Sequence, residues 1–144
     1  MADDDEANAG SPALGDLHLA VSRRLRTAYV AALEPYGVSP HHARALRAVR
    51  DHGPIRPGRL AEALRIAPRS VTDVIDDLEG RGLVARAADP DDRRAQIVTM
   101  TDAGVALLAA IDDQRTDAAS ELFGRLSADD RAELARILSA LLHH

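Results

Sequence analysis

Residues 53–104 read GPIRPGRLAEALRIAPRSVTDVIDDLEGRGLVARAADPDDRRAQIVTMTDAG, and the fold follows from how that stretch divides. Leu60 and Leu64 lie four apart, one apolar face of a short helix predicted over about 57–64. Arg65, Ile66 and Ala67 make a turn. Pro68 then suits the first turn of a second helix, because its φ is already helical and its missing N–H would have had no intrahelical partner. Val71, Val74, Ile75 and Leu78 recur at three and four residues as one buried stripe, with Arg69, Ser70, Thr72, Asp73, Asp76 and Asp77 on the other face. Gly80 and Gly82 are expected to end this helix. Leu83–Arg86 and Ala95–Met100 read as strands, the second carrying the β-branched run Ile97, Val98, Thr99. Between them ADPDDRR is too polar and turn-rich to be core. Two short helices, a tight turn and a hairpin with a charged tip make a winged helix-turn-helix, an arrangement suited to reading DNA.

Outward from this unit the chain is helical. Upstream, Leu14, Leu17, Val21, Leu25, Ala28 and Ala32 form a stripe lasting to about Leu33, broken by Pro35-Tyr36-Gly37. Ser39 before Pro40 is an N-cap with proline at the first helical position, opening a helix through about Asp51 whose inner face is Ala43, Leu46 and Val49. His52-Gly53-Pro54 stops it, and Ile55 can add a short strand to the wing. Downstream, Thr101 caps a long helix carrying Val105, Leu108, Ile111, Ala118, Ala119, Leu122 and Phe123. Ser127 caps a last helix with Leu134, Ile137, Leu138, Leu141 and Leu142 on one stripe. The reading unit has its own small core, so these terminal helices need another surface, and a second copy of the chain supplies one. The predicted organisation is a flexible acidic tail over 1–13, then one mainly α domain over 14–144. Within it, 39–104 is the winged helix-turn-helix, and 14–36 and 105–142 are dimerisation helices.

The chain has 144 residues, enough for one domain with a substantial core. It contains no cysteine, which excludes disulfides, zinc-thiolate sites and a thiol switch. No apolar run approaches a membrane span, and the acidic start MADDDE is unlike a signal peptide, so a cytoplasmic location with no membrane partner is expected. All eighteen basic side chains are arginine. The formal net charge of −5 is unevenly spread: residues 1–40 carry −3, 41–100 carry +2 and 101–144 carry −4. Positive charge therefore gathers where the reading unit lies, with the acids at the ends.

These residues resemble the MarR family of bacterial transcription regulators. The resemblance rests on APRSVTDVIDDLEGRGLV for the recognition helix and wing entry, and on DPDDRRAQIVTMTDAG for the wing and the next helix start. The family's Asp-x-Arg wing tip is matched by Asp92 and Arg94, and its following element by Met100-Thr101-Asp102-Ala103-Gly104. It covers about Leu14 to Leu142. It implies a homodimer on a pseudo-palindromic operator in double-stranded DNA, most often as a repressor, with Arg94 inserted in the minor groove and Asp92 bracing it by a salt bridge. It also implies relief by a small phenolic or aromatic acid in a cleft between the dimer helices and the reading unit. Thr72 and Arg86 match one salicylate-contacting set of positions.

Arg69, Ser70, Thr72 and Asp73 fall on the N-terminal half of the recognition helix, the part that reaches base edges. Arg69 can pair with guanine O6 and N7, and Ser70 and Thr72 can reach phosphate or base or bond their own backbone. Asp73 departs from the basic residue frequent there in the family; it can accept from cytosine N4 or orient Arg69. Arg93 and Arg94 at the wing tip suit a narrow minor groove, and Arg56 and Arg59 suit phosphates. His18, Tyr36, His41 and His42 are further polar groups for an effector cleft. Adjacent His41 and His42 project about 100° apart and no histidine lies four residues from either, so no metal site or other cofactor is expected.

An enzyme is disfavoured. The chain has no Gly-x-Ser-x-Gly elbow, no phosphate-cradling glycine loop and no His-Glu-x-x-His. The alternative is a winged-helix module for protein partners with weak or no DNA binding, which Asp73, Asp76 and Asp77 on the recognition helix make conceivable.

Overall fold

The computed structural model describes residues 12–143, so the expected acidic tail lies, but for its last two residues, outside the described residues. Helix α1 (Leu14–Leu33) gives way to a 3₁₀ turn, Glu34–Tyr36, closed by Gly37 in the left-handed region at φ 62°. Helix α2 (Pro40–His52) opens on a reciprocal cap. Ser39 Oγ accepts the His42 N–H at 3.2 Å, and His42 Nδ1 accepts the Ser39 N–H at 3.4 Å, so two amides with no helical partner are satisfied at once.

Helices α3 (Pro57–Leu64) and α4 (Pro68–Gly80) meet at the expected turn. Arg65 takes φ 55° there, the one non-glycine residue with positive φ among the described residues. Its N–H donates to the Glu62 carbonyl at 3.1 Å and that of Ile66 to Ala61 at 3.1 Å. Leu60, Ala61 and Leu64 of α3 and Val71, Ile75 and Leu78 of α4 are buried against Leu46 and Val49 of α2. Burying each such leucine or isoleucine is worth about 2 kcal/mol. The second helix is thereby fixed by its inner stripe while its outer face stays free.

The wing is an antiparallel pair, β1 (Val84–Ala88) with β2 (Gln96–Met100), in a register that sets Val84 opposite Met100 and Ala88 opposite Gln96. Ile55 exchanges two backbone hydrogen bonds with Val98, at 3.0 and 2.8 Å, so the segment before α3 is stitched to the wing as expected. Two expectations shift. Both strands start one residue later than predicted and the first runs two further, because the ladder from Val84 opposite Met100 to Ala88 opposite Gln96, not the apolar run from Leu83, sets their ends. Gly80 is the last residue of α4, as expected, but Arg81 is the cap and of the two glycines only Gly82, at φ 72°, takes the left-handed geometry.

Helix α5 (Asp102–Phe123) is capped by Thr101 and α6 (Ala128–Leu142) by Ser127, both as expected. In α5, Leu108 and Ile111 are buried but Val105 is 55% exposed. Gly104, Leu108 and Ile111 form the inward ridge, and Val105 lies one residue, about 100°, off it. Leu33, Val38, Ala43 and Ile111 make a second small core joining α1, α2 and α5. Beyond it the terminal helices are uncovered: α6 has no buried residue, and Leu14, Leu141 and Leu142 are 85%, 72% and 81% exposed. No helix among the described residues is long and apolar enough to cross a membrane.

Candidate nucleic-acid interface

On α4 the residues Arg69, Ser70, Thr72 and Asp73 are all exposed. The Thr72 hydroxyl donates to the Pro68 carbonyl at 3.1 Å, the local backbone bond open to it from sequence. No ion pair among the described residues joins Asp73 to Arg69, so Asp73 does not orient it here. Of the other acids of this face, Asp76 is paired within the fold. Asp76 takes an Arg86 N–H at 2.6 Å, and Asp77 lies 3.5 Å from His42 Nε2. What α4 offers outward is therefore Asp73 beside Arg69, with Asp77 further along the helix and Asp76 neutralised by Arg86.

Arg86 straddles α4 and β1. Its guanidinium also bonds Glu79 at 2.9 Å, and its backbone N–H reaches Glu79 Oε2 at 3.0 Å. Burial opposes its charge, but the bonds to Asp76 and Glu79 outweigh that and raise its pKa. This pins the wing to the C-terminal half of the recognition helix. Arg81, the cap of α4, donates to the carbonyl of Gly37 in the turn between α1 and α2, and so ties the end of the recognition helix to that turn.

The wing tip is organised by Asp89, which the sequence reading passed over. It is only 8% exposed. Its carboxylate accepts the Asp91 N–H at 2.9 Å and two Arg56 N–H groups at 2.8 Å, while its own N–H donates to Ala95 at 2.9 Å. The signal was present in Asp89-Pro90-Asp91, an Asx-turn sequence. Arg56, expected on a phosphate, is thus the tie between the start of α3 and the wing. Arg59, its neighbour across a cleft of about 740 Å³, pairs only with Glu62 at 3.3 Å, both side chains largely in water, a contact weak enough to exchange for a phosphate. Asp92 does brace Arg94, but through the backbone: its carboxylate accepts the Arg94 N–H at 3.0 Å, and no salt bridge forms. A carboxylate bonded to that amide shapes the turn and leaves the guanidinium free. Arg93 and Arg94 are exposed and carry no ion pair among the described residues.

The Asp91 N–H first, and then Arg56, hold the Asp89 carboxyl below its ordinary 3.8. A depressed folded-state pKa stabilises above the unfolded value, and that contribution fades as pH falls through the folded one. Asp89→Asn should therefore melt below the wild type at pH 7, and the gap should close as pH drops through 3.8 and lower. A gap independent of pH in thermal melts would contradict this.

The six residues offered for an effector cleft are not brought together. His41 and His42 share a small pocket of about 370 Å³ with Ser70. His18 sits on exposed α1 near Ser22, Tyr36 packs on the second core, and Arg86 is held by its two carboxylates. They are spread over separate helices, and the capping and ion-pair partners of His42 and Arg86 account for those two. No cluster of three or more potential metal ligands occurs among the described residues.

The sequence profile of the MarR family matches residues 38–95, from the start of α2 to the wing tip. The chain is 32% identical over 97 residues to the transcriptional repressor NicR of Pseudomonas putida, spanning 67% of this chain but only 61% of that one. It is 34% identical over 119 residues to a helix-turn-helix transcriptional regulator of Mycobacterium tuberculosis, covering 81% of this chain and 80% of the relative. Its fold matches that of ligand-free MarR from Escherichia coli with a TM-score of 0.81, at 26% identity over 92% of this chain and 98% of that chain. The chain spans about three fifths of the length of NicR and of other relatives it matches, and it belongs to the MarR family.

Proposed function

We propose that two copies of this chain form a dimer that binds a pseudo-palindromic operator and represses transcription until a small molecule loosens it. The observation that carries the reading is the contrast among arginines. Arg56 and Arg86 are spent on holding the wing, whereas Arg69, Arg93 and Arg94 are exposed with no ion pair among the described residues. Guanidiniums left free on a recognition helix and a hairpin tip suit base edges and a narrow minor groove. Repression is supported by the likeness to NicR, itself named a repressor. The dimer is supported by the uncovered apolar stripe of α6 and the start of α1. Two recognition helices about 34 Å apart can then enter successive major grooves. The protein-module alternative is weakened at one of its three acids, since Arg86 pairs with Asp76.

Arg94→Ala tests the reading. It should weaken binding to every duplex and reduce the slope of log affinity against log salt by about one, as expected for one lost cationic contact. Fluorescence anisotropy across a salt series measures both, and an unchanged affinity and slope would overturn the wing assignment.

A further inference from the structure

The outward ridge of α4 is short and mixed in sign. At about 100° per residue, Arg69 and Asp73 stand nearly opposite the inward stripe of Val71, Ile75 and Leu78. On one side of that ridge Asp76 and Glu79 turn to Arg86 of the wing, and on the other Ser70 and Val74 line a small pocket with His41 and His42 of α2. Thr72 keeps its hydroxyl on the Pro68 carbonyl. The long charged side chains left on the ridge in the N-terminal half of α4 are therefore one guanidinium and one carboxylate.

These two do not neutralise each other. Residues one turn apart on a helix are placed to pair, yet the exposed Asp73 carboxylate has no ion pair or hydrogen bond among the described residues. Such a group is not a general DNA contact. It carries acceptors only, so phosphates repel it, and so do O6 and N7 of guanine and O4 of thymine. Of the base edges in the major groove, cytosine contributes only its N4 donor, whereas adenine sets its N6 donor beside the N7 acceptor. A carboxylate stripped of water without such a donor keeps the full cost of its desolvation. Its charge thus favours one base and disfavours the others.

We propose that Asp73 is a specificity-determining residue of this reader: its carboxylate accepts from N4 of one cytosine in each half-site, and it lowers affinity for every duplex without that cytosine. Four residues advance a helix by about 6 Å and each stacked base pair adds about 3.4 Å, so this cytosine lies within about two steps of the base taken by Arg69. The inference rests on the DNA reading proposed above and names the base which that reading selects.

The test selects duplexes from a randomised library with the full chain and, in parallel, with Asp73→Ala, Asp73→Asn and Arg69→Ala. Both side chains are exposed, so all variants should keep the wild-type circular dichroism spectrum. The wild type should enrich a cytosine in each half-site that Asp73→Ala no longer selects, and Asp73→Asn should move to adenine, whose N6 and N7 suit an amide. Arg69→Ala should keep the cytosine and lose a different base. By anisotropy, thymine in place of that cytosine in one half-site should weaken the wild type about tenfold and Asp73→Ala less than about twofold. On random duplex at low salt Asp73→Ala should bind about threefold tighter than the wild type, because a charge repelled by phosphates is gone. Identical selected sites for the wild type and Asp73→Ala, or an Asp73→Ala variant no tighter on random duplex, would overturn the proposal. So would loss of the same base by Asp73→Ala and Arg69→Ala, which would make Asp73 a support for Arg69. A wild type that binds no duplex even at low salt would remove the DNA reading and this inference together, whereas intact binding with unchanged selection removes the inference alone.

Discussion

Ile137→Asp combined with Leu141→Asp is expected to give a folded monomer whose affinity for a two-half-site duplex falls at least a hundredfold. The two side chains lie four apart on α6, one turn of a single face, and both are exposed in the isolated chain. Nothing within the protomer relies on them: α6 contributes no buried residue. The cost must therefore fall on whatever covers that face. If this is a second copy, two carboxylates per chain would be desolvated in the middle of an apolar contact, which costs several kcal/mol per charge. A stable dimer interface buries of the order of 1,600 Å² or more, and removing its apolar centre leaves too little to hold it. A monomer engages one half-site, and losing the linked second site removes about two to four orders of magnitude of affinity. Light scattering at micromolar concentration with anisotropy on the same samples decides the matter. A dimer that survives both substitutions, or a monomer that binds like the wild type, would remove α6 from the interface.

Much of the reading unit was legible because its signals are local. The stripe Val71, Val74, Ile75, Leu78, the prolines at the starts of α2, α3 and α4, and the threonine and serine caps of α5 and α6 each act within a few residues. The structure places them where spacing predicts. Pairings between distant segments were not legible. Arg56 reads as a phosphate contact until Asp89, thirty-three residues on, is found at its guanidinium. Arg86 reads as a ligand residue until Asp76 and Glu79 are seen to hold it. Val105 misled for a smaller reason: a stripe read as i, i+3, i+6 drifts off the face that a helix of 3.6 residues per turn presents.

Gly104→Ala carries the second large effect, and it concerns the joint through which any signal between the reading unit and the long helices must pass. Gly104 is in the first turn of α5, where its backbone is helical and needs no special φ. Its constraint is space. A Cβ there would stand 2.1 Å from the Leu83 carbonyl oxygen and 3.3 Å from Met100 Cε. The methionine can move but the carbonyl cannot: it accepts the Thr101 N–H at 3.2 Å, and Thr101 in turn donates its hydroxyl to Gly82 at 2.6 Å and accepts from Gly104 at 3.1 Å. Alanine must lever α5 off the base of the wing and break part of this knot. The expected cost is about 3 kcal/mol, at the upper end for overpacking, or a fall of roughly 6–12 °C in melting temperature for a chain this long. Gly58→Ala is the control, since nothing lies within 4 Å of its Cβ in the first turn of α3. Alanine should be neutral there or stabilise by about 0.5–1 kcal/mol. If the two alanine variants melt together, α5 is not locked to the wing by close backbone contact. If only Gly104→Ala falls, and with it the affinity for DNA, the reading unit depends on that joint as well as on its own core.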